Sequence, residues 1–164
     1  MPHPLSDVSL CRGFSTAEMD GLLAAARPSS VPTGQVVLRI GVRNASIFII
    51  RSGSVVISRP GTEGDTVLAK LGAGRTFGEM SAVDGSLTSS NVIAAEATDL
   101  FELPLTAVDR LRAADPALWG NLWRNLALDL KERLLRTDEL VEHYVDLAQV
   151  MSENPSLREQ LGLA

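Results

Sequence analysis

The feature that decides the fold class is a cadence of short apolar runs broken by glycine and proline. Val36–Leu38, Ile47–Ile50, Ser54–Ser58, Thr66–Leu71, Asn91–Ala95 and Asp99–Leu103 are each strand-length. Apart from the longer step between the fourth and fifth, they recur at intervals of roughly 8–12 residues, which argues for an all-β roll and against alternating βαβ units. Gly53 turns the second run into the third. The cluster from Pro60 to Asp65, with Gly61 and Gly64, reads as a turn between strands. Leu100 and Phe101 fall on opposite sides of the pleat, and Pro104 stops the last run.

Within this cadence the stretch from Leu71 to Ala94, LGAGRTFGEMSAVDGSLTSSNVIA, has its own chemistry. Gly72, Gly74 and Gly78 open it and permit close approach of a ligand to the main chain. Successive N–H groups there, or at the start of a short helix expected after Gly78, form a receptor for one phosphate-sized anion. Glu79 would be misplaced in a purely anionic site. Its presence suggests an acid for a sugar hydroxyl beside amides for a phosphate. A hydroxyl-rich run, Ser86 to Ser90, follows and leads into the strand at Asn91.

These residues resemble the phosphate-binding cassette of the cyclic-nucleotide-binding domain. That domain is the β-roll of catabolite-activator-like bacterial regulators, protein kinase A regulatory subunits and gated channels. The family's Phe-Gly-Glu matches Phe77, Gly78 and Glu79. The resemblance implies a mostly β fold with flanking helices: a double-stranded β-helix, or jelly-roll-like β-roll, with a long C-terminal helix. It also implies that Glu79 takes the ribose hydroxyl and that the cassette amides hold the phosphate. In the family an arginine then pairs with the phosphate charge. With Val92 aligned on the family's valine, Thr88 stands at the arginine position, and one more residue of spacing gives Ser89. No Lys or Arg occurs between Arg75 and Arg110. A charge-assisted bond contributes roughly 1.5–3 kcal/mol, and a neutral hydroxyl cannot replace the charge. Arg75 could lean toward the site, although an arginine at a glycine turn is more often solvated.

The flanks read as helical. Ser15 caps a helix running to about Ala26, with Glu18 completing a capping box and Phe14 stapling the next turn. Pro28, Ser29 and Ser30 end it. Thr106 and Asp109 form a second capping box for a short helix through Val108 and Leu111. Asp115 caps the longest helix, with Pro116 at its first position. Leu118, Leu122, Leu126, Leu130 and Leu134 recur at every fourth residue there, and Trp119 and Trp123 widen the stripe. So wide an apolar face exceeds one packing contact. Part should cover the barrel and part should pair with a second subunit, matching the two-fold spine that the resemblance implies. The alternative is that all of these residues pack within one subunit. Steps of four are not a strict heptad, so a short crossing is expected and not a long coiled coil. The helix continues or restarts through Leu140, Val141, Tyr144, Val145 and Leu147. Tyr144 and Trp123 are the aromatic candidates for covering a base, with core or dimer packing as the competing role. Asn154 and Pro155 open a last small helix ended by Gly162.

The expected organisation is an N-terminal tail over 1–13, partly ordered at best, and the roll with its helices over 14–114. A helical, dimerising region follows over 115–150, and a tail with a short helix over 151–164. Fifteen basic against twenty acidic residues give a net charge of −5, which argues against a nucleic-acid surface. A single cysteine, Cys11, excludes an internal disulfide framework. With no signal pattern and no apolar run of about 18 residues, the chain reads as cytoplasmic with no membrane span. His3 and His143 lie far apart, and neither a metal site nor a cofactor is indicated. Asp65, Asp84 and Glu79 are scattered over turns without a nucleophile–histidine–acid arrangement, so no catalytic residue is assigned. About twenty residues follow the long helix, too few for the helix-turn-helix of the regulators.

Two readings remain. In the first, the chain is a non-enzymatic regulatory or protein-interaction module that does not bind cyclic AMP tightly. It then acts through dimerisation or a protein partner. In the second, it senses a small ligand or a weakly held cyclic nucleotide, using Gly78, Glu79, Met80, Ser81, Ala82, Thr88 and Ser89.

Overall fold

The computed structural model describes residues 2–62 and 64–153. Contacts divide the chain into two compact units, Met1–Leu126 and Ala127–Ala164. In the first, eight antiparallel strands form two four-stranded sheets. One has the order β1 (Arg27–Val31), β8 (Thr98–Pro104), β3 (Ser46–Ser52), β6 (Thr76–Phe77). The other has the order β2 (Val36–Leu38), β7 (Asn91–Ala94), β4 (Ser54–Gly61), β5 (Gly64–Gly72). Phe48, Ile50, Val55, Leu71, Phe77, Val92 and Leu100 meet in the core between them. The β-roll expected from the strand cadence is the fold observed.

Ile47–Ile50 and Leu100–Leu103 read as nearly unbroken apolar runs because β3 and β8 are buried on both faces. Helix α1 (Thr16–Ala25) and helix α3 (Leu105–Ala114) contact β8, and helix α2 (Glu79–Asp84) contacts β3. The Ser15 capping box forms as expected: the Glu18 N–H donates to Ser15 Oγ, and the Ser15 N–H donates to Glu18 Oε2 at 2.6 Å.

Several expectations need correction. Pro28–Ser30 do not merely end a helix; they lie in β1, paired with β8 from Arg27↔Glu102 to Val31↔Thr98. Only Val31 of this strand is buried, so no alternation announces it, and its edge position tolerates a proline without an N–H. The strand β4 runs on to Gly61, which pairs with Gly64, so much of the expected turn cluster is hairpin strand. Thr106 is not a cap: α3 begins at Leu105 after Pro104, with no side-chain capping bond. The N-terminal residues are packed, with Leu5, Val8, Leu10 and Cys11 buried and Ser9–Cys11 in a 3-10 turn. Asn125 Nδ2 ties this segment down by donating to the carbonyls of Leu10 and Arg12 at 3.0 and 2.8 Å.

Helix α4 (Pro116–Glu153) is a single element of 38 residues with no restart. Its cap is as expected, the Leu118 N–H donating to Asp115 Oδ1 at 2.9 Å. Leu118, Leu122 and Leu126 are buried within one chain, and Trp119 packs edge-on against Trp123 with the Arg112 guanidinium over its ring. These residues of the expected dimer seam therefore already have intramolecular packing. Leu130 is half-buried. Further along, Leu134, Val141, Tyr144 and Val145 are exposed. The expected helix at Asn154 and Pro155 lies outside the described residues.

Candidate ligand site in the β-roll

The site is built on strand β6 and the turn that follows it. Phe77 pairs with Phe48 across β3 and β6, and their rings stack with centroids 5.0 Å apart. Gly78 then takes a left-handed conformation (φ +83°). A Cβ there would stand 2.9 Å from Asn44 Nδ2 and 3.1 Å from the Ser46 carbonyl, so this position requires glycine. Asn44 is the clamp: its Nδ2 donates to the carbonyls of both Gly78 and Ser46 at 2.8 Å. Sequence reasoning missed Asn44 because it lies far upstream and has no motif of its own.

From this turn α2 sets out. Glu79 is 2% exposed, Ser81 and Ala82 are buried, and Met80 faces outward at 64% exposed. The Ala82 N–H donates to the Gly78 carbonyl at 3.3 Å, so of the expected anion-binding amides this one is already engaged. Ser81 Oγ also turns back toward that carbonyl. Gly85, again left-handed, ends the helix. Asp84 accepts from the Ser86 N–H at 2.8 Å, and the Ser86 bonds hold its carboxyl below the usual range.

Thr88 is 6% exposed. Its hydroxyl accepts from the Val42 N–H at 3.2 Å and reaches the carbonyls of Val42 (3.0 Å) and Arg39. Backbone bonds Gly41 N–H to Thr88 carbonyl (2.8 Å) and Thr88 N–H to Val42 carbonyl (2.9 Å) complete a knot. The expected ligand donor at Thr88 is thus engaged in holding residues 39–42. Ser89 is exposed, and its carbonyl accepts from Arg59 Nε at 2.6 Å. At the other end of the segment, Arg43 Nη1 donates to the Gly85 carbonyl at 3.2 Å. Neither arginine is near the segment in sequence, so spacing could not find them. Arg75 lines a cavity of about 260 Å³ with Ser6, Asp7, Ser9, Arg12 and Gly74. Among the described residues, no group of three or more His, Cys, Asp or Glu could hold a metal, and no helix is long and apolar enough to cross a membrane.

The profile of the cyclic nucleotide-binding domain matches residues 28–115, more than half of the chain. The chain belongs to the cyclic nucleotide-binding domain family. A crystal structure of a cyclic nucleotide-binding domain from Methylobacillus flagellatus superposes with a TM-score of 0.78 at 26% identity, over 85% of this chain and 80% of that one. The cyclic AMP receptor protein of Thermus thermophilus is 32% identical over 136 residues, covering 80% of this chain and 61% of the receptor. Glutaminase 1 of Bradyrhizobium diazoefficiens is 33% identical over 139 residues, covering 84% of this chain. The chain thus spans only 22% of the length of that glutaminase and under two thirds of the receptor. The matched fold is of the regulatory kind, Crp-like, with bacterial relatives.

Proposed function

We propose that this cyclic nucleotide-binding domain is a non-enzymatic regulatory module that does not bind cyclic AMP tightly. One observation carries the reading. Thr88, which the resemblance puts at the family's phosphate arginine (Ser89 with one more residue of spacing), is neutral and buried, with its hydroxyl committed to the Arg39 and Val42 backbone. A hydroxyl so engaged neither neutralises a phosphate nor turns toward one without breaking the knot. Calorimetric titration of cyclic AMP and cyclic GMP tests this. No binding in the micromolar range is expected, and a micromolar dissociation constant overturns the reading.

The module acts through its surface, as a homodimer paired by the outer part of α4. There Leu130, Leu134, Thr137, Val141, Tyr144 and Ala148 fall in alternating steps of four and three, the spacing of a coiled-coil seam. This favours a longer seam than the short crossing expected from the leucines alone. Light scattering should give twice the chain mass for the native protein and a monomer for Leu134→Asp. A native monomer at tens of micromolar refutes the seam.

A second reading, a sensor of a small ligand, is favoured by Glu79. Its carboxylate is held inside the roll directly after the left-handed Gly78. In this reading Glu79 accepts from a ligand hydroxyl beside the amides of Gly78 to Ser81, and Glu79→Ala weakens ligand binding at least about tenfold.

A further inference from the structure

We propose that two copies of the chain pair through the outer half of α4 in antiparallel orientation. This rests on the dimer reading and adds which residues of the two copies meet. The face is apolar and open: Leu134, Val141, Tyr144 and Val145 are each more than half exposed. Its charges are sorted along the helix. From Pro116 to Thr137 there are four basic residues, Arg124, Lys131, Arg133 and Arg136, against two acids, Asp129 and Glu132. From Asp138 to Glu153 there are five acids and no Lys or Arg. Asp138, Glu142 and Asp146 are exposed and follow at steps of four, so they line up as one row of like charge. That row also lies toward the negative end of the helix dipole. Both features disfavour the helix taken alone, and a cationic neighbour offsets both.

A parallel pair does not supply that neighbour. It sets each acidic row beside its own copy and brings the two negative helix ends together. The arginines nearest the row, Arg133 and Arg136, already pair with Asp129 and Glu132 in their own helix. An antiparallel pair lays the basic half of one α4 along the acidic half of the other. In the seam of fours and threes, Leu134 of one copy then meets Thr137 of the other, and Leu130 meets Val141. Between these two layers Lys131 falls beside Asp138 of the other copy, twice by symmetry. Lys131 and Asp138 are both exposed, and among the described residues neither has an ion pair. Charge complementarity thus selects a second copy as the occupant of this face and sets its direction.

The test is disulfide cross-linking and light scattering of the whole chain, with the native protein, whose one cysteine is buried, as the background. In the antiparallel seam the two copies of Val141 stand about 16 Å apart along the axis, beyond the roughly 7 Å between Cα atoms that a disulfide spans. Val141→Cys alone should therefore not cross-link, whereas a mixture of Leu130→Cys and Val141→Cys should give a mixed cross-linked dimer. Lys131→Glu should weaken the dimer about tenfold, and Lys131→Glu combined with Asp138→Lys should restore it. Added salt should weaken the native dimer, because it screens the attraction between the halves. Self-cross-linking of Val141→Cys or Tyr144→Cys, or a dimer that tightens with salt, overturns the orientation and leaves the dimer reading standing. A dimer in which the mixture does not cross-link, or the charge swap restores nothing, overturns it too. A native monomer at tens of micromolar removes the dimer reading and the orientation with it.

Discussion

Replacing Thr88 by valine removes one hydroxyl while keeping the side-chain shape, so no cavity opens. The hydroxyl has one hydrogen. It donates to a single carbonyl at a time, that of Arg39 or of Val42, and accepts from the Val42 N–H. Two bonds are therefore lost, each contributing about 1 kcal/mol net. The Val42 N–H keeps a poorer acceptor, the Arg39 carbonyl at 3.4 Å, which pulls the sum to about 1–2 kcal/mol. Urea unfolding followed by the fluorescence of Trp119 and Trp123 should show the midpoint lowered by about 0.5–1 M. Hydrogen exchange should speed up at the amides of Gly41 and Val42, while Thr88→Ser stays close to native. A Thr88→Val midpoint equal to the native one, with unchanged exchange at Gly41 and Val42, refutes the knot. The same reasoning bears on Thr88→Arg: that variant introduces the family's cation but also releases residues 39–42, so it should be less stable than the native chain.

Gly78→Ala forces a Cβ into the left-handed region against Asn44 and the Ser46 carbonyl, and should cost of order 1–3 kcal/mol in urea unfolding; a native midpoint would show that the turn relaxes freely. Burial pushes the Cys11 thiol up to about 12, so at pH 8 a thiol reagent should modify it only as fast as the chain opens. Immediate stoichiometric modification would refute its burial, and the stability this thiol contributes should fade as pH rises above about 8.5 toward its folded value. Hydrogen bonds from Ser30 and then Ser52 hold the Asp99 carboxyl below its usual range. Its contribution is present above the unfolded value near 3.9 and is lost as pH falls through the lower folded value. Acid titration of stability should therefore be steeper for the native chain than for Asp99→Asn, and parallel curves would refute the linkage.

Apart from the Thr106–Asp109 box, which does not form, the local code of this chain was legible where one short stretch both causes and contains the structure. Ser15 with Glu18, Asp115 with Pro116 and the glycine before Glu79 act over three or four residues, and each appears where the spacing puts it. The cassette motif identified the family for the same reason. Arg27–Val31 and the segment from Leu5 to Cys11 were illegible because they have little pattern of their own. They are ordered by partners far away, β8 in one case and Asn125 and Gly74 in the other. The state of the site also belongs to the tertiary structure. The sequence shows Thr88 to be neutral, but not that its hydroxyl ties down residues 39–42. Nor could spacing show that Arg59 and Arg43 reach the two ends of the segment. A hydrogen bond forms over about 3 Å of space whatever the distance along the chain. Pairing strands 30 or more residues apart is what brings these groups within that reach.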